Sequence, residues 1–252
     1  MSGENYDALE RVIRGAYRNV PPPAAGLCVS CTAPTSSPAY QRCVPCDSFA
    51  RSGMKTASGG VVPLSWAPMD SQGYQDLRQY KEPSATADQL GRLRTMFALA
   101  FSRHTTCIAS SDPSRPLGVA HIPSTSGLRP GEHPFETHIM SMLASSVPRV
   151  SIRYVGSTDG TRNSRRSLDP DQWEIELPPT PLSRVLVFDD TWVSGGHAQS
   201  VAAAFEQRGI ASRIVVLGRA LDPSRNDHGT YLRAHPATPY DSSICPVSRR
   251  SH

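Results

Sequence analysis

Apolar positions with a helical period alternate along the chain with short runs that are apolar throughout. Leu9, Val12, Ile13, Ala16 and Tyr17 share one face of an opening helix, which the run Pro21-Pro22-Pro23 stops. A segment rich in Cys, Pro and Ser follows, to about Cys46, and is too poor in apolar residues to fold unaided. Val61–Pro68 reads as an extended apolar piece leading into Tyr74–Tyr80. After Pro83, Leu90, Leu93, Met96, Phe97, Ala100 and Phe101 mark a second helix within Asp88–Phe101. Gly118–Ile122 predicts a buried strand, Phe135, Ile139 and Leu143 a helix in register, and Ile152–Val155 another strand. Trp173, Ile175 and Leu177 alternate with glutamates, as in a half-exposed strand. Val185–Phe188 and Ile214–Leu217 are buried strands. Between them Ala198, Val201, Ala202 and Phe205 predict a helix with Gly209 as its cap. Strands alternating with helices predict an α/β fold with a mostly parallel sheet flanked by helices.

Length and composition adjust this picture. A chain of 252 residues holds one sizeable domain with a small appendage. We place an N-terminal helix and cysteine module at 1–58, the α/β domain at 59–232 and a poorly ordered Pro/Ser/Arg-rich tail at 233–252. No apolar run approaches the roughly 20 residues that span a bilayer, and the start has no signal-peptide layout, so a cytoplasmic protein without membrane contact is expected. The formal net charge of +4 is too small to argue for nucleic acid by itself. Of the 26 basic residues only Lys55 and Lys81 are lysines; arginine suits bidentate phosphate binding, and an arginine-rich composition bias explains the count equally well.

Two Cys-x-x-Cys pairs, Cys28/Cys31 and Cys43/Cys46, stand close together in the apolar-poor segment. Four thiolates at this spacing suit tetrahedral Zn²⁺, and metal binding would supply folding energy on the order of 10 kcal/mol. Cys107 and Cys245 stand alone, and His121 reads as a packed polar residue.

The stretch Val185–Ser200 places Asp189 and Asp190 at the end of a strand, before a small-residue turn and a helix. In a parallel sheet, ligands sit beyond the C-terminal strand ends. The unpaired N–H groups of a helix N-terminus suit a phosphate, and Ser194, Gly195 and Gly196 allow close approach. Two carboxylates cannot share that phosphate but can accept hydrogen bonds from a neighbouring polyol. Sugar hydroxyls beside a phosphate describe a ribose phosphate. A Walker-B reading lacks its Gly-Lys-Ser/Thr loop, and a phosphoacceptor receiver domain lacks its late lysine.

This layout resembles the phosphoribosyl pyrophosphate (PRPP) signature of type I phosphoribosyltransferases. The resemblance implies that Asp189 and Asp190 hold the ribose hydroxyls. It implies too that Thr191, Trp192, Val193, Ser194, Gly195, Gly196 and His197 wrap the 5′-phosphate, with Mg²⁺ bridging the diphosphate. Ser124, Thr125, Ser126 and Gly127 then occupy the place of the pyrophosphate loop, where consecutive N–H groups form an anion nest. The polar segment 161–166 matches a mobile loop whose Arg165 and Arg166 would neutralise the leaving group. Tyr74, Leu77, Arg78, Tyr80, Lys81 and Glu82 ahead of a helix, after a cysteine-rich start, resemble the ComF-like competence-protein branch. There a Tyr/Lys pair precedes the core domain, and Lys81 is assigned a catalytic role. The branch is associated with DNA uptake, which adds DNA or protein contact through a zinc ribbon as an alternative to transfer onto an unidentified nitrogen acceptor. Self-association is left open. Val193 and His197 depart from the pattern, which often has hydroxyl residues there, and no aspartate stands at 193 to serve as a base for hypoxanthine or guanine.

Overall fold

The computed structural model describes residues 3–109, 116–125, 133–156, 167–235 and 238–251. In chain order these form α1 (Gly3–Ile13), α2 (Val44–Arg51), β1 (Val61–Pro63), β2 (Trp66–Pro68), α3 (Gln72–Gln79), α4 (Ala87–Ala109), β3 (Leu117–His121) and α5 (Pro134–His138). They continue with β4 (Ser151–Tyr154), β5 (Trp173–Glu176), β6 (Arg184–Trp192), α6 (Gly196–Glu206), β7 (Ala211–Leu221) and α7 (Asn226–Ala234).

The main sheet is parallel throughout. β7 and β6 are its centre, β3 flanks β6, and β1 and β2 lie along the other side of β7. Period-two alternation explains how its two faces are covered. Val185, Val187, Ile214 and Val216 face a cluster with Val201, Ala202 and Phe205 of α6. Leu186, Phe188, Val215 and Leu217 face Leu93, Met96 and Phe97 of α4. A strand buried on both faces must be apolar at consecutive positions, and Val185–Phe188 and Ile214–Leu217 are. The expected α/β sheet flanked by helices is therefore present. No helix among the described residues is long and apolar enough to cross a membrane.

β4 and β5 form a separate antiparallel pair, with Tyr154 opposite Trp173. The arginine segment 161–166 joins them and lies outside the described residues, so Arg165 and Arg166 have no described position.

The cysteine segment packs on the sheet. Cys28, Cys31, Cys43 and Cys46 belong to the same apolar cluster as Val187, Trp192 and Phe205, and Trp66 Nε1 donates to Thr32 Oγ1 at 3.1 Å. The C-terminal segment differs from the expected loose tail. Tyr240, Ser242 and Cys245 are buried, and Ser242 donates to the Glu10 carboxylate of α1 through both its backbone N–H and its hydroxyl. These anchors are single residues without periodicity, so the pattern along the chain did not reveal them.

Candidate functional site

β6 does not stop at its acids. It pairs with β7 as far as Trp192, which lies opposite Arg219. The Trp192 ring is buried, at 1% exposure, and the chain then turns tightly over it. Gly195 caps α6 with φ +81°, and a Cβ built there would come within 2.0 Å of the Trp192 ring. Thr191 and Ser194 are half-buried and Val193 is 50% exposed. Trp192 thus supports the turn from below, while Val193 lies on its outer face. His197, in the first turn of α6, packs its ring 5.5 Å from that of Trp173 and 6.1 Å from that of Tyr154.

Gly195→Ala meets both a backbone conformation unfavourable to L-residues and the Trp192 ring. It is expected to lower unfolding free energy by about 2–4 kcal/mol, read as the midpoint shift in urea denaturation.

Arg219 holds the same turn from the neighbouring strand. Its buried Nη1 donates to the carbonyls of Trp192 (2.8 Å), Val193 (3.1 Å) and Ala220 (2.5 Å). Hydrogen bonding with Cys28, Cys43 and Cys46 dominates the Cys31 thiol, and the same guanidinium adds a lesser pull toward its thiolate.

Asp190 is buried and accepts a hydrogen bond from the Tyr80 hydroxyl at 2.9 Å. It also pairs with the Lys81 ammonium. α3 delivers both partners, since Tyr80 is the residue that ends it. Sequence reading placed Lys81 near the chemistry but gave Tyr80 no contact with an acid 110 residues away. Asp189 is half-buried, and its Oδ1 accepts from the Asp190 N–H at 2.9 Å. Burial first, and then the Asp190 carboxylate, push Asp189 up to about 7.

A carboxylic acid with a raised folded pKa binds its proton more tightly in the folded than in the unfolded state. Stability therefore falls as pH rises from about 4 to about 7. Asp189→Asn removes this penalty and is expected to raise unfolding free energy at pH 8 by about 1–3 kcal/mol, with little effect at pH 4. Chemical denaturation at the two pH values checks this.

The loop after β3 is described only in part. Ser124 is exposed and Thr125 half-buried, while Ser126 and Gly127 lie outside the described residues. Beside it the structure assembles a group that the sequence did not suggest. His121 Nδ1 lies 2.8 Å from Glu136 Oε2, and Arg149 Nη1 lies 4.0 Å from Glu136 Oε1. The His121 hydrogen bond is the main cause holding the Glu136 carboxyl below its usual range. The three residues line a cleft of about 250 Å³ at the C-terminal end of β3. An apolar cavity of about 440 Å³ between α4 and residues 142–147 has no titratable side chain in its lining.

The four cysteines are positioned to bind a metal ion. Their sulfurs lie within 4.8 Å of one another, and all four residues are buried. Cys28 begins a tight loop in which the Thr32 N–H donates to its carbonyl, at 2.9 Å. Cys43 caps α2 and Cys46 lies in its first turn, so the positive end of that helix favours thiolates. Such close thiols do not ionise independently. Hydrogen bonds among the four favour the first thiolate to form and oppose the loss of the last proton. Cys28, Cys31, Cys43 and Cys46 would hold a dication as thiolates, and its charge would favour loss of their protons.

No protein-family model matches the chain, and no curated protein does. Among solved structures it is similar to a hypoxanthine phosphoribosyltransferase from Staphylococcus aureus. The two are 10% identical, the match covers 69% of this chain and 81% of that one, and the TM-score is 0.28.

Proposed function

We propose that this chain is a cytoplasmic, ComF-like member of the type I phosphoribosyltransferases, which binds PRPP with Mg²⁺ and carries a structural Zn²⁺ on Cys28, Cys31, Cys43 and Cys46. The observation that carries this reading is the pair of acids near the C-terminal end of the central strand β6, a short turn ahead of a glycine-capped helix N-terminus. Asp189 and Asp190 accept hydrogen bonds from the ribose hydroxyls. The N–H groups of the turn at 193–197 take the 5′-phosphate. Ser124–Gly127 bind the pyrophosphate, and Arg165 and Arg166 close over it. Lys81, paired with Asp190, fixes that carboxylate and adds positive charge at the site's edge.

In the reaction a nitrogen nucleophile bonds to the anomeric carbon. The bond from that carbon to the pyrophosphate oxygen breaks, pyrophosphate leaves with the electron pair, and the nitrogen gives up its proton. Positioning and charge stabilisation supply most of the acceleration. The division into a cysteine module at 1–58 and a transferase domain at 59–232 belongs to the same reading.

A second reading is a ribose-phosphate-sensing module without turnover. The exposed Val193, in place of a hydroxyl donor on the outer face of the turn, favours it. Val29, Tyr40 and Val44 are exposed beside the buried cysteines and offer a surface for a protein, for DNA or for a second copy of the chain. Pyrophosphate release from PRPP·Mg²⁺, measured with a panel of nitrogen acceptors, separates the two. Release that Asp190→Asn abolishes supports the transferase; PRPP binding with no release from any acceptor supports the sensor.

A further inference from the structure

Cys245 sits in a local fold that the chain also uses for a metal-site cysteine. In residues 27–34, Leu27 bridges Pro34, the Cys28 N–H donates to the Ala33 carbonyl (2.8 Å), and the Thr32 N–H donates to the Cys28 carbonyl (2.9 Å). Residues 244–251 repeat this arrangement. Ile244 bridges Ser251, the Cys245 N–H donates to the Arg250 carbonyl (3.0 Å), and the Arg249 N–H donates to the Cys245 carbonyl (2.7 Å). Thr32 and Arg249, at matching places, have φ of 66° and 59° and are the non-glycine residues with positive φ among those described. Cys245 therefore stands where Cys28 does. At the place of Cys31 the second loop has Ser248, which is exposed. Its cysteine has no thiol partner within its own loop.

A partner comes from α4. The Cys107 thiol lies within hydrogen-bonding reach of Cys245. Around this contact the C-terminal segment is fixed on both sides. α4 bends at His104 (φ −128°, ψ 18°), whose Nε2 donates to the Ser242 carbonyl at 2.9 Å. Asn19 binds Asp241 reciprocally through its side-chain amide, at 3.0 and 2.7 Å. Cys245 is fully buried and Cys107 half-buried, so an oxidant reaches Cys107 first and Cys245 is in place to resolve it.

We propose that Cys107 and Cys245 are a second, metal-independent cysteine site, a dithiol that closes to an intrachain disulfide and staples residues 238–251 to α4. The step needs a two-electron thiol oxidant such as a peroxide or an azo compound. Two S–H bonds break and one S–S bond forms, and the two electrons and two protons reduce the peroxide to water or the azo group to a hydrazine. Burial and the neighbouring thiol hold Cys107 above the ordinary thiol range. The thiolate fraction is then small at neutral pH, and closure accelerates as pH rises.

The test uses the full chain loaded with zinc, treated with diamide at pH 7 and pH 9, quenched with N-ethylmaleimide and mapped by peptide mass spectrometry. The expected product is one cross-link joining the Cys107 and Cys245 peptides, formed at least tenfold faster at pH 9, with the other four cysteines unlinked. Cys107→Ser abolishes the link and leaves Cys245 free to take maleimide on denaturation. An oxidised wild type with maleimide on both cysteines, or with Cys245 joined to a cysteine other than Cys107, overturns the proposal.

Discussion

Cys31→Ser leaves the chain largely unfolded at 25 °C and unable to retain zinc. Cys31 is fully buried and shares an apolar cluster with Trp192 and Phe205, so a lost ligand is felt in the domain core. A structural zinc contributes on the order of 10 kcal/mol of folding free energy, against a total stability of roughly 5–15 kcal/mol for a typical domain. Removing one thiolate of four, and burying a hydroxyl in its place, consumes most of that margin. Chelation of the wild type is expected to do the same. It should proceed more readily as pH falls, because each ligand must lose its proton to bind. Far-ultraviolet circular dichroism with metal analysis reads both effects. A Cys31→Ser chain that melts with the wild type would show that the four thiols pack without needing a metal.

Asp190→Asn is expected to weaken PRPP binding by about a hundredfold, roughly 2.7 kcal/mol. The native carboxylate collects the Tyr80 hydroxyl and the Lys81 ammonium on its protein side. Its remaining acceptor sites are available to ribose hydroxyls. The amide removes the charge and offers a donor where two donors already point. Lys81→Met leaves a largely buried carboxylate without its cation and is expected to cost about 2–4 kcal/mol of stability. Tyr80→Phe removes one charge-assisted hydrogen bond and should cost about 1.5 kcal/mol. Binding and stability, measured on all three variants, should rank Asp190→Asn first for affinity and Lys81→Met first for stability. Equal PRPP affinity in wild type and Asp190→Asn would remove the acid from the site.

Affinity should also depend on pH in one direction. Asp189 is pushed up to about 7, and its ionised form accepts hydrogen bonds from ribose hydroxyls more strongly than the neutral acid does. Binding therefore strengthens as pH rises through about 7 and levels off above it.

The central strands were legible because burial on both faces leaves no choice but continuous apolar residues, as at Val185–Phe188. The turn after them was legible because close approach demands small residues at fixed places, and Gly195 shows why in its positive φ. α2, α3 and α7 were not legible. Each is short, eight or nine residues, with two or three buried positions, which is too few to show a period. Partnerships across long separations were hidden for another reason. Tyr80 with Asp190, His121 with Glu136 and Arg219 with the turn carbonyls depend on how the sheet brings distant segments together. Trp192 reads in sequence as one more residue of the binding turn, and only the packing shows that its ring lies beneath it.

The central claim is that the turn after β6 binds a ribose phosphate, and titration calorimetry of PRPP with Mg²⁺ into the zinc-loaded chain tests it most directly. Saturable binding at one site per chain, lost in the Asp189→Asn/Asp190→Asn double variant, is the predicted result. A folded, zinc-loaded wild type that takes up no PRPP, or a double variant that binds as tightly as the wild type, would contradict it.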